Sequence, residues 1–233
     1  MAPAAIPNLK VERELFESGA PVVLACDEVG RGALAGPVAV GLVVIDPSVR
    51  RMPTGLRDSK LLTEPKRELM APRAGAWVRA WAVGEASAAE IDELGIMACL
   101  GLAGARALTA LRATEEAAGT AGELDDAPLV LDGNHDWLSR AIDHRARVST
   151  RIKADRDCAS VAAASVLAKV HRDRLMHVAH HELPVYAWNE NKGYSSRAHF
   201  DAIAEHGPSD LHRRTWLHER AVEAPALFDL GVG

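Results

Sequence analysis

Two adjacent carboxylates, Asp27 and Glu28, follow a short apolar run from Val22 to Cys26, which has the length of a buried strand. A carboxylate at the end of a buried strand is costly to remove from water unless a partner or a cation lies beside it. Carboxylate oxygens are the ligands that Mg²⁺ and Mn²⁺ prefer. The spacing therefore predicts a divalent-cation site at this end of the strand.

A glycine-rich turn, Gly30-Arg31-Gly32, comes directly after the acidic pair and before a second apolar run, Val38 to Ile45. Glycine lets the backbone approach a ligand closely and adopt positive φ angles. The arginine between the glycines adds a positive charge that is suited to a phosphate. The turn is thus a candidate contact for a phosphate-bearing ligand.

Two further carboxylates stand at comparable places in the chain. Asp132 ends a short apolar run, residues 128–131, and Asp155 lies just before or within the first turn of a small-residue helix. That helix, from about Cys158 to Val170, is apolar nearly all round and is predicted to be buried. From these residues alone, an Asp-Gly-Asn turn and a helix cap favoured by the helix dipole stay open as alternatives.

The elements that must position these side chains are predicted strands alternating with helices, an α/β pattern. A helix is expected over residues 11–18 and another after Thr63, which precedes Glu64 and Pro65 in a pattern typical of a helix start. Further strands are expected over residues 76–83 and 146–153.

A capping-box pattern at Ser87 and Glu90 predicts a long helix that continues to about Thr114. Gly95 lies inside this predicted helix. We expect it to weaken the helix by about 1 kcal/mol relative to alanine.

Composition limits the class of protein. The chain has 233 residues, 48% of them hydrophobic, and a mean hydropathy of −0.05, which fit one large soluble domain. No apolar run approaches the roughly 18 residues of a membrane span, no secretory signal is visible, and a cytoplasmic location is expected. Three widely spaced cysteines suit a reducing compartment better than a disulfide framework. The net charge of −5 does not favour nucleic-acid binding, although local patches decide that property.

The stretch that begins at Asp27, Asp-Glu-Val-Gly-Arg-Gly-x-Leu-Ala-Gly-Pro-Val, resembles the signature of the type 2 ribonucleases H, and specifically of the ribonuclease HII family. Other motifs of that family follow in the same order over roughly residues 22–216: Asp58-Ser59-Lys60, Asp132-Gly133-Asn134, Asp155, Lys192-Gly193-Tyr194 and His212-Arg213. The chain departs from the family pattern at Gly95, Ala154, Thr215 and Trp216, which stand where asparagine, glycine, serine and phenylalanine are common.

The resemblance implies a ribonuclease H-like α/β fold, with a mixed sheet flanked by helices and a helical C-terminal extension. One domain would cover residues 1–233, with a core of about 20–182 and an extension of about 183–222. The implied catalytic and metal-binding residues are Asp27, Glu28, Asp132 and Asp155, which would hold two Mg²⁺ or Mn²⁺ ions. The implied substrate contacts are Gly30, Arg31, Gly32, Ser59, Lys60, Lys192 and Tyr194.

The reaction implied is hydrolysis of the RNA strand of RNA–DNA hybrids, and cleavage 5′ of a single ribonucleotide in duplex DNA. Products would carry 5′-phosphate and 3′-hydroxyl ends. The enzyme would be a monomer and would not associate with a membrane. A catalytically inactive nucleic-acid-binding relative and a metal-dependent small-molecule phosphohydrolase remain as alternatives. One local question is open, because adjacent residues such as Asp27 and Glu28 point to opposite faces of a regular strand. Either the strand bends there or one carboxylate contributes less directly.

Overall fold

A five-stranded mixed sheet forms the centre of the protein. The computed structural model describes residues 6–142 and 148–220, with side chains up to residue 217. The strands are β1 (Val23–Val29), β2 (Val38–Ile45), β3 (Ala80–Ala86), β4 (Leu129–Asp132) and β5 (Val148–Arg151), in the order β3-β2-β1-β4-β5. The β1–β2 and β2–β3 pairs are antiparallel, whereas β1–β4 and β4–β5 are parallel. The predicted mixed sheet is confirmed.

Helices flank the sheet and continue beyond it. They are α1 (Lys10–Glu17), α2 (Glu64–Trp77), α3 (Ala88–Leu94), α4 (Ile96–Ala117), α5 (Ala154–Asp157), α6 (Ala159–Glu182), α7 (Trp188–Asn191), α8 (Arg197–His206) and α9 (Arg214–Arg220). Single 3₁₀ turns cover Ser59–Leu61, Ala121–Leu124 and Pro184–Tyr186. The predicted strand and helix order over residues 11–170 agrees with this arrangement, apart from the long helix predicted after Ser87. The strand predicted over residues 76–83 lies at Ala80–Ala86, because α2 continues to Trp77.

Each face of the sheet has its own hydrophobic layer. On one face, Val23 and Ala25 of β1 pack with residues of α2 and α6, and on the other face Leu24 and Cys26 pack with residues of α4. The alternation follows from the two-residue period of a strand. Helix α6 lies so close to the sheet that a Cβ at Gly41 would be 2.7 Å from the Ala164 carbonyl oxygen. Only glycine at that position permits this approach.

The long helix predicted from Ser87 is broken in two, so that prediction was wrong in its extent. The capping box itself is present: Ser87 Oγ accepts a hydrogen bond from Glu90 N, and Glu90 Oε2 accepts one from Ser87 N. Gly95 then ends α3 and precedes α4, with φ 79° and ψ 156°. This conformation is open almost only to glycine, so the chain turns at Gly95 instead of continuing the helix.

Helix α4 is a core helix in this fold. Within the part of the chain that the structure describes, it is the one helix whose length and apolar composition alone would suit a membrane span. Its residues Leu100, Ala103 and Leu111 are nevertheless buried in the layer against β2 and β3.

The C-terminal helices pack against α6 and the loop between β1 and β2. Tyr186 and Trp188 are buried there with Met176 of α6 and Ala35 of the loop, and an isolated bridge joins Ala35 to His212. The described part of the predicted extension is therefore helical, while its last two residues, 221 and 222, lie outside the described residues.

Candidate active site

Parallel pairing of β1 with β4 brings two of the predicted carboxylates to one edge of the sheet. The last paired residues are Cys26 and Leu131, and the next residue on each strand is Asp27 and Asp132 respectively. Because the two strands are parallel, the residues that follow the last pair lie at the same edge of the sheet. The two carboxylates are therefore neighbours there. Asp27 is buried there, with 3% of its surface exposed, and Asp132 is partly exposed.

Asp132 also fixes the position of Asp155. Its Oδ1 accepts hydrogen bonds from the backbone N–H groups of Ala154, at 2.7 Å, and of Asp155, at 3.3 Å. Asp132 thereby caps the first turn of α5, which begins after Lys153 in a left-handed conformation with φ 62°. The cap that the sequence suggested for Asp155 is supplied by Asp132, and the Asp155 carboxylate is left to face the site.

The open question about Asp27 and Glu28 is answered by the regular alternation of β1. Asp27 shares a face with Val23 and Ala25, towards α6, where the Ser165 hydroxyl moderates the rise in its pKa. Glu28 is on the α4 side, with its Oε1 3.7 Å from Nη1 of Arg31. Within the strand, Glu28 N–H donates to Asp27 Oδ1 at 2.8 Å. Glu28 therefore leaves β1 on the face opposite to Asp27.

The carboxylates disfavour one another's charge. Burial, and after it the Glu28 carboxylate, raises the pKa of Asp27 well above its ordinary value. Burial likewise raises the pKa of Glu28, and burial followed by Asp155 raises the pKa of Asp132. A group of acids that is costly to ionise together needs positive charge nearby.

The carboxylates are ligands that suit a hard divalent cation, although they do not form a complete coordination site. No three His, Cys, Asp or Glu side chains among residues 6–142 and 148–217 stand close enough to form a ready-made metal site. Carboxylate oxygens from three segments, partly buried and short of positive charge, are nevertheless the ligands that Mg²⁺ or Mn²⁺ would take.

Ser59 and Lys60 occupy different environments. The ammonium of Lys60 lies 3.3 Å from Asp155 Oδ2, and the lysine side chain is largely exposed. Ser59 is buried, and its Oγ lies 2.9 Å from Oγ of Ser165 on α6. Lys60 is therefore at the site and open to a ligand, whereas Ser59 supports the Ser165–Asp27 contact from behind.

Ser165 is a residue of the site that sequence reasoning did not assign. It is buried, and its hydroxyl group moderates the rise in the pKa of Asp27. The available signal was a hydroxyl side chain in the middle of an otherwise apolar helix, since a buried polar group needs a partner.

The glycine turn adjoins the carboxylates. Its first glycine is packed against other residues, whereas its second glycine has open space beside it. Gly30 has φ +82°, and a Cβ there would lie 2.1 Å from Nε of Arg172. Its N–H donates to the Tyr194 hydroxyl at 3.1 Å. At Gly32, by contrast, a Cβ would meet no atom within 4 Å, and φ is outside the left-handed range. Nothing inside the described protein requires glycine at position 32.

The predicted contact residue Lys192 is engaged elsewhere. Its side chain is nearly buried, and its ammonium lies 3.2 Å from Glu64 Oε2 and donates to the Asn189 carbonyl. The next residue, Gly193, accepts hydrogen bonds from Leu34 N–H at 2.8 Å and Ala35 N–H at 3.1 Å. This segment therefore supports the glycine turn, and Lys192 is not among the partners of the four carboxylates.

Comparison with known proteins agrees with the geometry. Residues 24–219 match the family model described as Ribonuclease HII. A relative named Ribonuclease HII from Streptomyces avermitilis is 43% identical over 213 residues, covering 91% of this chain and 84% of the relative. The solved ribonuclease H2 from Pyrococcus horikoshii OT3 aligns with a TM-score of 0.61 and 26% identity, over 87% of this chain and 97% of that one. Bst-RNase HIII, solved in complex with Mn²⁺, aligns with a TM-score of 0.65 and 20% identity, over 85% and 68% respectively, and so supports the fold.

Proposed function

This chain belongs to the ribonuclease HII family, and from that premise we propose that it hydrolyses the RNA strand of RNA–DNA hybrids and cleaves 5′ of single ribonucleotides within duplex DNA. Family membership makes the chain a nuclease of the ribonuclease H type. The substrate, the metal arrangement and the residue roles given below are the proposed part.

The observation that supports the proposal most directly is the joining of Asp132 and Asp155 beside Asp27. Two hydrogen bonds from the first turn of α5 to Asp132 hold these carboxylates at one edge of the sheet. The glycine turn, with an open Gly32, begins directly after β1, the strand that carries Asp27. Acidic ligands and a backbone surface for a nucleotide therefore adjoin each other.

Two Mg²⁺ or Mn²⁺ ions, when held by Asp27, Glu28, Asp132 and Asp155, would stabilise negative charge on the reacting phosphate and on the departing 3′-oxygen. The protein's own residues provide placement. Ser165 favours the ionised form of the Asp27 carboxylate, and Asp132 orients the segment that presents Asp155. No side chain is required as the sole general base in this scheme, and the reaction leaves 5′-phosphate and 3′-hydroxyl ends.

Selection of RNA over DNA requires a contact with the ribose 2′-hydroxyl. The candidates are backbone groups of Gly30, Arg31 and Gly32, with the Tyr194 ring beside them, because Tyr194 already accepts a hydrogen bond from Gly30 N–H. Lys60 and Arg31 are exposed cations at the site and are suited to the phosphates on either side.

The test is cleavage of a labelled DNA duplex that contains one ribonucleotide, beside an all-DNA duplex, with Mg²⁺ or Mn²⁺. The Asp132→Asn variant removes a charge but keeps an oxygen acceptor for the α5 amides. We expect it to lose more than about 100-fold in rate, because a carboxylate ligand is removed. Asp126→Asn is the matched control, because Asp126 is exposed and precedes the start of β4, whereas Asp132 lies at the other end of that strand.

Cleavage 5′ of the ribonucleotide by the unmodified protein and by Asp126→Asn, with none of the all-DNA duplex, would support the proposal. Binding without cleavage under both metals would instead favour an inactive nucleic-acid-binding relative. Absence of both binding and cleavage would reject the nucleic-acid substrate and leave a small-molecule phosphohydrolase.

A further inference from the structure

Two arginines, Arg172 of α6 and Arg213 just before α9, are completely buried. Every hydrogen-bond acceptor of their guanidinium groups within the described residues is a backbone carbonyl. Removing a charged guanidinium group from water costs free energy unless the group is hydrogen-bonded. The hydrogen bonds to these carbonyls therefore hold each arginine in its buried position. Burial lowers the pKa of both, that of Arg213 to about 9.

Arg213 binds the glycine turn directly. Its Nη2 donates to the Gly30 carbonyl at 2.7 Å, and its Nη1 donates to the Arg31 carbonyl at 3.0 Å. The same guanidinium also donates to the Gly36 carbonyl, from Nη2 at 3.1 Å and from Nε at 3.3 Å. The rigid fork of one side chain thus holds the first two residues of the turn together with Gly36, which follows the turn in the same loop.

Arg172 holds the rest of the loop from the other side. It donates to the Ala35 and Lys192 carbonyls, each at 2.9 Å, and to the Pro37 carbonyl at 2.8 Å. It also packs where a Cβ at Gly30 would be, which explains why residue 30 is glycine.

The direction of these bonds determines what the turn presents to a ligand. In a trans peptide the C=O and the following N–H point in opposite directions. Because Arg213 holds the carbonyls of Gly30 and Arg31 inward, the N–H groups of Arg31 and Gly32 point away from the protein interior. Neither amide has a hydrogen-bond acceptor among the described residues. Both Arg31 and Gly32 are exposed.

We propose that Arg213, supported by Arg172, is a positioning residue for substrate selection, which directs the N–H groups of Arg31 and Gly32 outward to donate hydrogen bonds to a ribose 2′-hydroxyl oxygen. This inference rests on the proposed function and adds to it. The arginines do not touch the substrate themselves. They act through the shape of the turn, so their loss should affect recognition of ribose more than binding to DNA as such.

The experiment measures binding in the Asp132→Asn background, where cleavage is expected to be stopped. Fluorescence anisotropy gives the Kd for a duplex with one ribonucleotide and the Kd for the all-DNA duplex. Adding Arg213→Lys keeps the charge and removes the fork. We expect the ratio of the two affinities to fall about tenfold, as for one lost hydrogen bond from a backbone amide to the ribose hydroxyl, with the all-DNA Kd unchanged. Arg106→Lys is the control, because Arg106 also binds a carbonyl, that of Glu85, but lies on α4.

The outcomes separate the two proposals. If Asp132→Asn itself shows no preference for the ribonucleotide, the proposed substrate choice fails, and this inference fails with it. If the preference is present and a folded Arg213→Lys protein retains it, only the role of the arginine is overturned. A loss of melting temperature without a change in the affinity ratio would indicate a purely structural role. If Arg213→Lys does not fold, Arg172→Lys is measured in its place, and failure of both to fold would overturn the proposal.

Discussion

The ammonium nitrogen of Lys60 lies 3.3 Å from Oδ2 of Asp155, so a lysine from an exposed turn supplies positive charge to a buried carboxylate. Burial alone would lower the pKa of Lys60, but Asp27, Asp155 and Asp58 raise it above its ordinary value. The lysine side chain is 69% exposed, so the contact is screened by solvent and weak. A divalent cation can therefore displace Lys60 from Asp155 at little cost.

This relationship predicts the effect of Lys60→Met on metal binding. Without nucleic acid, the variant should bind Mn²⁺ about threefold more tightly, because the cation no longer competes with an ammonium for Asp155. Isothermal titration calorimetry measures the difference, with Lys66→Met as a control, because Lys66 is exposed on α2. Unchanged or weaker Mn²⁺ binding in Lys60→Met would show that the lysine does not occupy the cation's place.

Gly32→Ala should impair activity without affecting stability. A Cβ at position 32 meets nothing within 4 Å, so the melting temperature should be unchanged, while a nucleotide that approaches the turn should meet the added methyl group. We expect the rate on the single-ribonucleotide duplex to fall about tenfold, because a small misplacement at a positioned substrate is costly. Equal activity of Gly32→Ala and the unmodified protein would exclude a close approach at this residue.

Unlike Gly32→Ala, Gly95→Ala should destabilise the protein, because the backbone conformation at residue 95 is strained for alanine. Alanine at φ 79° and ψ 156° is strained even though its Cβ would meet no atom within 4 Å. The free energy of unfolding should fall by roughly 1–3 kcal/mol, the usual cost of such a conformation. Urea denaturation checks this value. In the control Gly122→Ala the Cβ also meets open space, but φ is not positive, so a comparable loss there would contradict the explanation.

Two buried histidines predict a loss of stability in acid. His199 donates from Nδ1 to the Tyr194 carbonyl at 2.9 Å, and its Nε2 accepts from Trp188 Nε1 at 3.1 Å. The Nδ1 of His212 accepts from Ser209 N–H at 2.9 Å, and its Nε2 lies 3.1 Å from Nε2 of His199. This arrangement is satisfied with both rings neutral.

Burial lowers the pKa of His199, and burial followed by His199 lowers the pKa of His212 to about 4. In the unfolded chain a histidine titrates near 6.5, so the stabilisation is complete above about pH 6.5 and is lost as the pH falls towards about 4. Between pH 7 and pH 5 the His212 contribution should fall by about 2 kcal/mol. Urea unfolding at both pH values measures it. A His212→Gln protein with an unchanged pH dependence would contradict the assignment, and His135→Gln, at an exposed position, is the control.

Local patterns were sufficient for much of the fold. The apolar runs around Asp27 and Asp132 gave the central strands, and Ser87 gave its helix start, because each depends on neighbours in the sequence. Gly95 was harder, because a glycine inside a helical pattern does not reveal whether the chain turns there. The four carboxylates were identified mainly by the resemblance to the family. The directions in which their side chains leave β1 and α5 were not predicted from the sequence.

The residues that sequence reasoning missed depend on distant partners. Ser165 meets Ser59, and Arg213 meets the Gly30 carbonyl, across separations of 106 and 183 residues. Nothing near Arg213 in the sequence distinguishes a buried carbonyl-binding arginine from a surface one. Lys192 was predicted as a substrate contact from the resemblance, whereas its pairing with Glu64 appears only in the folded chain.

The place of Arg213 in the chain has a consequence for the order in which the enzyme is made. Synthesis proceeds from the N-terminus, so a growing polypeptide that has reached His206 already contains all four carboxylates and the glycine turn. It still lacks the guanidinium that binds the Gly30 and Arg31 carbonyls. The groups for hydrolysis are thus translated well before the residue that shapes the turn, and a nascent chain on the ribosome acquires its proposed selectivity for ribose last.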